Sequence, residues 1–133
     1  MKITEALLAE HVVFHNLFDQ IERALPRLKT AAEVRSLAAL LTEMLRIHTR
    51  VEDELLIEPL EHCFEQIGQR ETFHEEHEQI DADLARSRQA KRIAEGKRLL
   101  LEAVLNCRKH FDKEERLVFP LAEEAFNHHT LMT

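Results

Sequence analysis

The residues with the most chemistry in this 133-residue chain are nine histidines and 25 acidic side chains, and several of them are regularly spaced. Two segments, His48-Thr-Arg-Val-Glu52 and His110-Phe-Asp-Lys-Glu114, set an imidazole and a carboxylate four residues apart. Four residues make about one helical turn, so each pair can present both groups to one point. Neutral imidazole is the commonest metal ligand, and a buried carboxylate has to be paired or bound to a cation. The pairs therefore point to a metal centre. His11 precedes His48 by 37 residues and His77 precedes His110 by 33, and each His-x-x-x-Glu runs on through apolar residues into Pro59-Leu60 or Pro120-Leu121. Residues 11–60 and 77–121 thus follow one template. Pseudo-repeats of about 7–60 and 70–121 within a single domain, 1–133, would set two equivalent His/His/Glu groups about a pseudo-two-fold axis. Two metal ions bridged by Glu52 and Glu114 follow from that arrangement.

Helices must position these groups. Leu7, His11, Phe14, Phe18, Ile21 and Leu25 recur at steps of 4 and 3, which predicts a helix over about residues 5–25, with Thr4 as its N-cap and Pro26 as its stop. Val34, Leu37, Leu41, Met44, His48, Val51 and Leu55 form a second seam, opened by the capping-box spacing of Thr30 and Glu33 and ended at Pro59. Phe73, His77, Ile80 and Leu84 form a third, after Gly68, and the basic stretch from Arg86 to Lys97, with Gly96, is the expected connection onward. Leu100, Ala103, Cys107, His110, Glu114, Leu117 and Leu121 form the fourth, and Pro120 makes its last turn irregular. Two glycines and three prolines leave too little turn chemistry for a many-stranded fold. The expectation is an all-α, antiparallel up-down-up-down four-helix bundle. Each seam contains one histidine, where an unpaired polar group costs roughly 1–3 kcal/mol. Four such positions, together with inward carboxylates, favour ligation over chance.

Composition removes other classes. A net charge of −7 gives no electrostatic footprint for nucleic acid or an anionic membrane. No apolar run approaches the roughly 20 residues of a bilayer span, and residues 1–6 lack a signal-peptide layout, so a cytoplasmic protein is expected. Cys63 and Cys107 are too few for a disulfide framework and read as reduced structural thiols. A ferritin-like site needs Glu-x-x-His on two helices, and only Glu71-Thr-Phe-His74 has it. His74-Glu-Glu-His77 lacks the four-residue histidine spacing of a zincin. Ligand types alone leave zinc and manganese open beside iron, but two bridged ions among five His and two Glu suit iron better than a four-coordinate structural zinc.

Glu10-His11, His48-x-x-x-Glu52, Glu76-His77 and His110-x-x-x-Glu114, the last followed by Glu115-Arg-Leu-Val-Phe-Pro-Leu, occur in this order between Leu7 and Phe126. In that order and spacing the chain resembles the hemerythrin-like, HHE cation-binding domains. The resemblance implies a non-heme di-iron centre with an oxo or hydroxo bridge, His11 and His48 nearer one iron, His77 and His110 nearer the other, and Glu52 and Glu114 between them. Respiratory hemerythrins of invertebrates carry His-x-x-x-His on helix three and an Asp five residues after the helix-four histidine. Here His74 and His77 are three apart and Glu114 is four after His110; the glutamate in the last position resembles the bacterial and regulatory branch, tied to sensing of oxygen, nitric oxide, peroxide or iron more than to bulk oxygen transport. His74, about 60° around the helix from His77, is expected to supply the extra imidazole; His15, one turn beyond His11, is a further candidate. His62, His128 and His129 read as surface residues, and Asp53, Glu54, Glu115 and Glu10 either as partners behind the ligands or as surface charge, rather than as ligands.

The expected function is binding or sensing of a small diatomic ligand or peroxide, with Phe14, Phe18, Phe73, Phe111 and Phe119 as apolar walls. Two other classes stand beside it. One is a di-iron enzyme with catalase-like, nitric-oxide-reducing or iron–sulfur-cluster-repair activity, although the absence of Tyr and Trp removes the usual radical-relay residues. The other is a metal-stabilised interaction module. A separate redox or signalling protein is the expected macromolecular partner, with no nucleic acid and no membrane; the oligomeric state is left open.

Overall fold

A computed structural model describes residues 2–66 and 68–126. The helices are α1 (Ile3–Ala24), α2 (Ala31–Glu52), α3 (Glu58–Gln66), α4 (Arg70–Gln89), α5 (Ile93–Lys113) and α6 (Phe119–Ala125). A single π turn, Asp53–Ile57, joins α2 to α3, and another, Glu114–Val118, joins α5 to α6. The six segments therefore make four rods: α1, α2 with α3, α4, and α5 with α6. Together they form an all-α four-helix bundle, and no strand occurs among the described residues. No helix among those residues is long and apolar enough to cross a membrane.

Local sequence sets most of the boundaries. Thr30 and Glu33 form the expected capping box, with the Glu33 amide donating to Thr30 Oγ1 at 3.2 Å and the Thr30 amide donating to Glu33 Oε1 at 3.0 Å. Thr4 is not a cap: Lys2 holds that position, and the Thr4 hydroxyl donates instead to Glu123 Oε1 at 2.6 Å, tying α1 to α6. Gly68 ends the second rod in a left-handed turn at φ 72°. The connection expected across Arg86–Lys97 shrinks to residues 90–92, because α4 continues to Gln89 and α5 already contains Gly96. A Cβ at Gly96 would stand 3.2 Å from Val34 Cγ1, so this glycine serves close packing of α5 on α2 rather than a turn.

Pro59 and Pro120 do not stop their helices, as expected of Pro59; they shape the turns ahead of them. A helical proline lacks the N–H that bonds the carbonyl four residues back, and its ring crowds that carbonyl. Those carbonyls belong to Leu55 and Arg116, one in each π turn. The backbone widens there, the Glu58 amide donating to the Asp53 carbonyl and the Phe119 amide to the Glu114 carbonyl. The inward face shifts as a result. Leu56 and Val118 are fully buried, whereas Leu55 and Leu117, placed on the seams by α-helical spacing, are 50% and 42% exposed. His48-Glu52-Leu56-Leu60 and His110-Glu114-Val118-Ala122 thus point inward at successive steps of four. In an α-helix each such step overshoots a turn by about 40°, and the wider turn absorbs the drift.

Two apolar clusters flank the histidines. One, with Phe14, Phe18, Leu41, Leu84, Val104 and Cys107, fills the bundle toward the Thr30 cap. The other, with Leu7, Leu56, Leu60, Phe73, Val118 and Phe119, closes the end beyond the π turns. The polar layer lies between two dry plugs.

Candidate metal centre

Each rod contributes one histidine to that layer. His11 from α1, His48 from α2 and His110 from α5 are buried, at 0%, 2% and 2% exposure, and His77 from α4 is half-buried. Glu52 and Glu114, one turn after His48 and His110, are buried at 1% and 0%. Bare carboxylates at this depth have no water to solvate them, so their partners must lie within the layer.

The ligand atoms converge in two groups that share Glu52. One atom each from His11, His48, Glu52 and Glu114 lies within 4.8 Å of all the others, and the same holds for Glu52, His77 and His110. His48 Nε2 is 3.2 Å from Glu52 Oε2, His11 Nε2 is 3.8 Å from the same oxygen and 3.7 Å from Glu114 Oε1, and His110 Nε2 is 3.5 Å from Glu114 Oε1. Five of these buried atoms, His11 Nε2, His48 Nε2, Glu52 Oε2 and both Glu114 oxygens, have no hydrogen-bond partner. Orphaned lone pairs aimed at one point are the inverse of a cation's coordination sphere, so the donor set fits a metal ion.

Outer carboxylates orient the rings. His48 Nδ1 donates to Glu10 Oε1 at 2.6 Å, His110 Nδ1 to Glu76 Oε2 at 2.9 Å, and His11 Nδ1 to Glu115 Oε1 at 3.4 Å. A proton held on Nδ1 leaves the Nε2 lone pair facing inward. Lys113 Nζ secures Glu76 from behind at 2.7 Å. Aromatic rings then fix the planes: Phe111 stacks on His11 at 3.9 Å and 5°, while Phe14 meets His48 and Phe73 meets His110 edge-on.

Electrostatics separates the two inner carboxylates. Burial opposes ionisation of both, yet contacts from Glu114, His11 and His48 carry Glu52 well below the ordinary carboxylate range. Burial and the neighbouring Glu52 charge instead push Glu114 well above it. Burial, aided by His110, lowers His77 to about 4, so its imidazole is neutral at pH 7. The hydrogen bond to His110, against the cost of burial, takes Glu76 down to about 2. Near neutral pH Glu76 is thus a fixed negative charge behind His110.

A cavity of ≈ 540 Å³ opens between α2 and α4 and reaches His48, Glu52, Asp53, His77 and His110, with Ile80, Cys107 and Phe111 among its apolar walls. Burial pushes the Cys107 thiol pKa up, which makes this cysteine an inert wall residue.

The structure thus brings together His11, His48, Glu52, His77, His110 and Glu114. It does not bring His74 or His15 to them. His74, three residues before His77, is exposed on α4 and belongs to neither group of converging atoms. His15 is half-buried and turned toward α5, where Arg108 Nη1 donates to its Nδ1 at 3.3 Å. His62 is exposed, and His128 and His129 lie outside the described residues. Glu10 and Glu115, expected as partners behind the ligands or as surface charge, take the first role and orient imidazoles. Glu76 does the same and was not foreseen; the repeated Glu-His dipeptide, Glu10-His11 and Glu76-His77, carried its signal.

Comparison with known proteins agrees with this geometry. No curated protein and no solved structure gives a significant match. The sequence profile of the hemerythrin HHE cation binding domain matches residues 2–122, which include every converging ligand atom. The chain belongs to the hemerythrin HHE cation-binding family.

Proposed function

We propose that the chain is a cytoplasmic, non-heme di-iron protein that binds or senses dioxygen, nitric oxide or peroxide at the carboxylate-bridged centre in its core. The observation that carries this reading is the set of five orphaned buried atoms on His11, His48, Glu52 and Glu114, beside a second group that shares Glu52. Four imidazoles and two carboxylates suit a borderline divalent ion such as ferrous iron. Iron held there by His11, His48, His77, His110, Glu52 and Glu114 would supply electrons to a bound small molecule. The chain's own residues do the rest. Glu10, Glu76 and Glu115 keep three imidazole protons on Nδ1, Phe14, Phe73 and Phe111 shield the rings from water, and the cavity between α2 and α4 gives a small molecule access to His77, His110 and Glu52. Two unpaired thiols suit a reducing compartment.

Anaerobic purification followed by iron analysis and visible spectra before and after air tests the proposal. The expected result is about two irons per chain, as two-metal sites require, and an oxygen-dependent band. Fewer than about one iron per chain with no such band would defeat it. The same cavity favours one second reading, a peroxide-removing enzyme, because it is open to solvent as well as to the centre. Rapid gas evolution on adding peroxide, lost in Glu52→Ala and His110→Ala, would select the enzyme over the carrier or sensor.

A further inference from the structure

We propose that the outer face of α1 and α2 is the interface of an antiparallel homodimer, so that its occupant is a second copy of this chain. The inference goes beyond the metal centre and does not rest on it.

Helix α2 carries two seams. Val34, Ala38, Leu41, Leu45, His48 and Glu52 are buried in the bundle. Leu37, Leu40, Met44, Ile47 and Val51 repeat at steps of 3, 4, 3 and 4 and are covered only in part. Leu37, Met44 and Val51 are half-buried, while Leu40 and Ile47 are 52% and 60% exposed. Thr42, Arg46, Thr49 and Asp53 line the cavity toward α4, which puts the second seam on the opposite edge of α2, beside α1. On α1, Glu10 reaches His48, and Val13 and Leu17 follow it on the same side. Val13 is 59% exposed and Leu17 half-buried. Outside the metal layer, no ion pair among the described residues ties α1 to α2, whereas Arg108 ties α5 to Asp19 and Glu22 of α1. Exposed aliphatics gathered on one face mark an association surface.

The face is complementary to itself. The α2 seam reverses about Met44, with Leu37 meeting Val51, Leu40 meeting Ile47 and Met44 meeting its own counterpart. The α1 flank reverses about residue 15, which sets Ala6 against Ala24, Val13 against Leu17, and Glu10 against the neutral amide of Gln20. Contact of Glu10 with His48 puts residue 15 and Met44 at nearly the same level on their two rods, so one two-fold axis across the helices serves both. An isologous interface requires that coincidence. Charge agrees with it. Arg23, Arg27 and Lys29 stand at the Thr30 end of the face, and Glu5 and Glu58 at the far end. An antiparallel pair sets basic end against acidic end, and a parallel pair sets like against like. Two 22-residue helices side by side cover a strip about 33 Å long and about 20 Å wide. That strip, about 660 Å², approaches the roughly 800 Å² per partner of a stable interface.

Sedimentation equilibrium and carbodiimide cross-linking test the proposal on the full chain. The expected mass is twice 15.6 kDa. Leu40→Glu and Ile47→Glu should each raise the dimer dissociation constant by about 100-fold or more, because each sets a charge against its apolar counterpart. Helix content should not change, since both positions are exposed in the single chain. Leu105→Glu, on the exposed side of α5, should leave the dimer intact. Carbodiimide joins a lysine amine to a carboxylate in contact with it, and the antiparallel pair predicts a bond from Lys29 to Glu58. These residues stand at opposite ends of the second rod, about 40 Å apart, so that bond can form only between copies. A monomeric mass, or a dimer that persists in Ile47→Glu, would overturn the proposal. A dimer lost in Ile47→Glu but without the Lys29–Glu58 bond would overturn the antiparallel arrangement.

Discussion

Toward the Thr30 cap, the core of Phe14, Phe18, Val34, Leu41, Leu84 and Val104 keeps ordinary α-helical spacing on every rod. Beyond the histidines, the core of Leu7, Leu56, Leu60, Phe73 and Val118 is reached only after two of the four rods pass through a π turn. The first end is held by apolar burial, and its buried polar groups are satisfied within it: Ser87 donates to the Gly96 carbonyl, and Asp83 accepts from Gln79 and Asn106. The second end shares its helices with Glu52 and Glu114, whose orphaned oxygens cost stability until something binds them. One half of the bundle is thus a self-sufficient core, and the other is coupled to the occupancy of the centre.

The sharpest break in that comparison comes at Glu52, the carboxylate common to both groups of ligand atoms. On the proposed two-ion reading, Glu52→Ala is expected to drop metal content from about two ions per chain to near zero, as read by elemental analysis, because a ligand shared by both groups would serve both positions. Retention of both ions would show that Glu52 is not shared. Next in size is metal removal. At a free metal concentration about 1,000 times Kd, the bound state is stabilised by about 4 kcal/mol. Chelation should therefore lower Tm and speed amide exchange at Leu56, Leu60 and Val118 well before it does so at Val34 and Leu41. Uniform acceleration along the rods would argue against two unlike ends.

A third test reads the phase of the π turns. Leu56→Ala is expected to cost about 2–5 kcal/mol in denaturant unfolding, and neighbouring Leu55→Ala under about 0.5 kcal/mol. The opposite order would mean that α2 continues as an unbroken α-helix. The smallest effect belongs to the self-sufficient end. Thr30→Ala should cost about 1 kcal/mol through loss of the capping box, with metal content unchanged.

These two ends also differ in how far they can be read from sequence. The seams of the regular end follow from spacing alone, since an α-helix repeats its face every 3 or 4 residues. Past Glu52 and Glu114 the same rule selects Leu55 and Leu117, and the structure buries Leu56 and Val118. A five-residue π turn has no periodic signature of its own; only the prolines that follow hint at it, and Pro59 read as a stop conceals it. Gly96 misleads for a similar reason, because close approach to Val34 depends on a neighbouring helix that local sequence does not specify. Within the centre, the four seam histidines and both glutamates were legible because burial, residue type and spacing all pointed one way. The placement of His74 was not, since a residue 60° from a ligand can turn inward or outward according to the rotation of α4. The orienting roles of Glu10, Glu76 and Glu115 depend on contacts between helices, which spacing within one helix does not encode.

X-ray absorption on the iron-loaded protein tests the central claim most directly, because it counts what lies beside each iron. A carboxylate-bridged pair on Glu52 and Glu114 predicts nitrogen and oxygen donors and a second iron within about 4 Å. Iron with no metal neighbour, at one ion per chain, would contradict it.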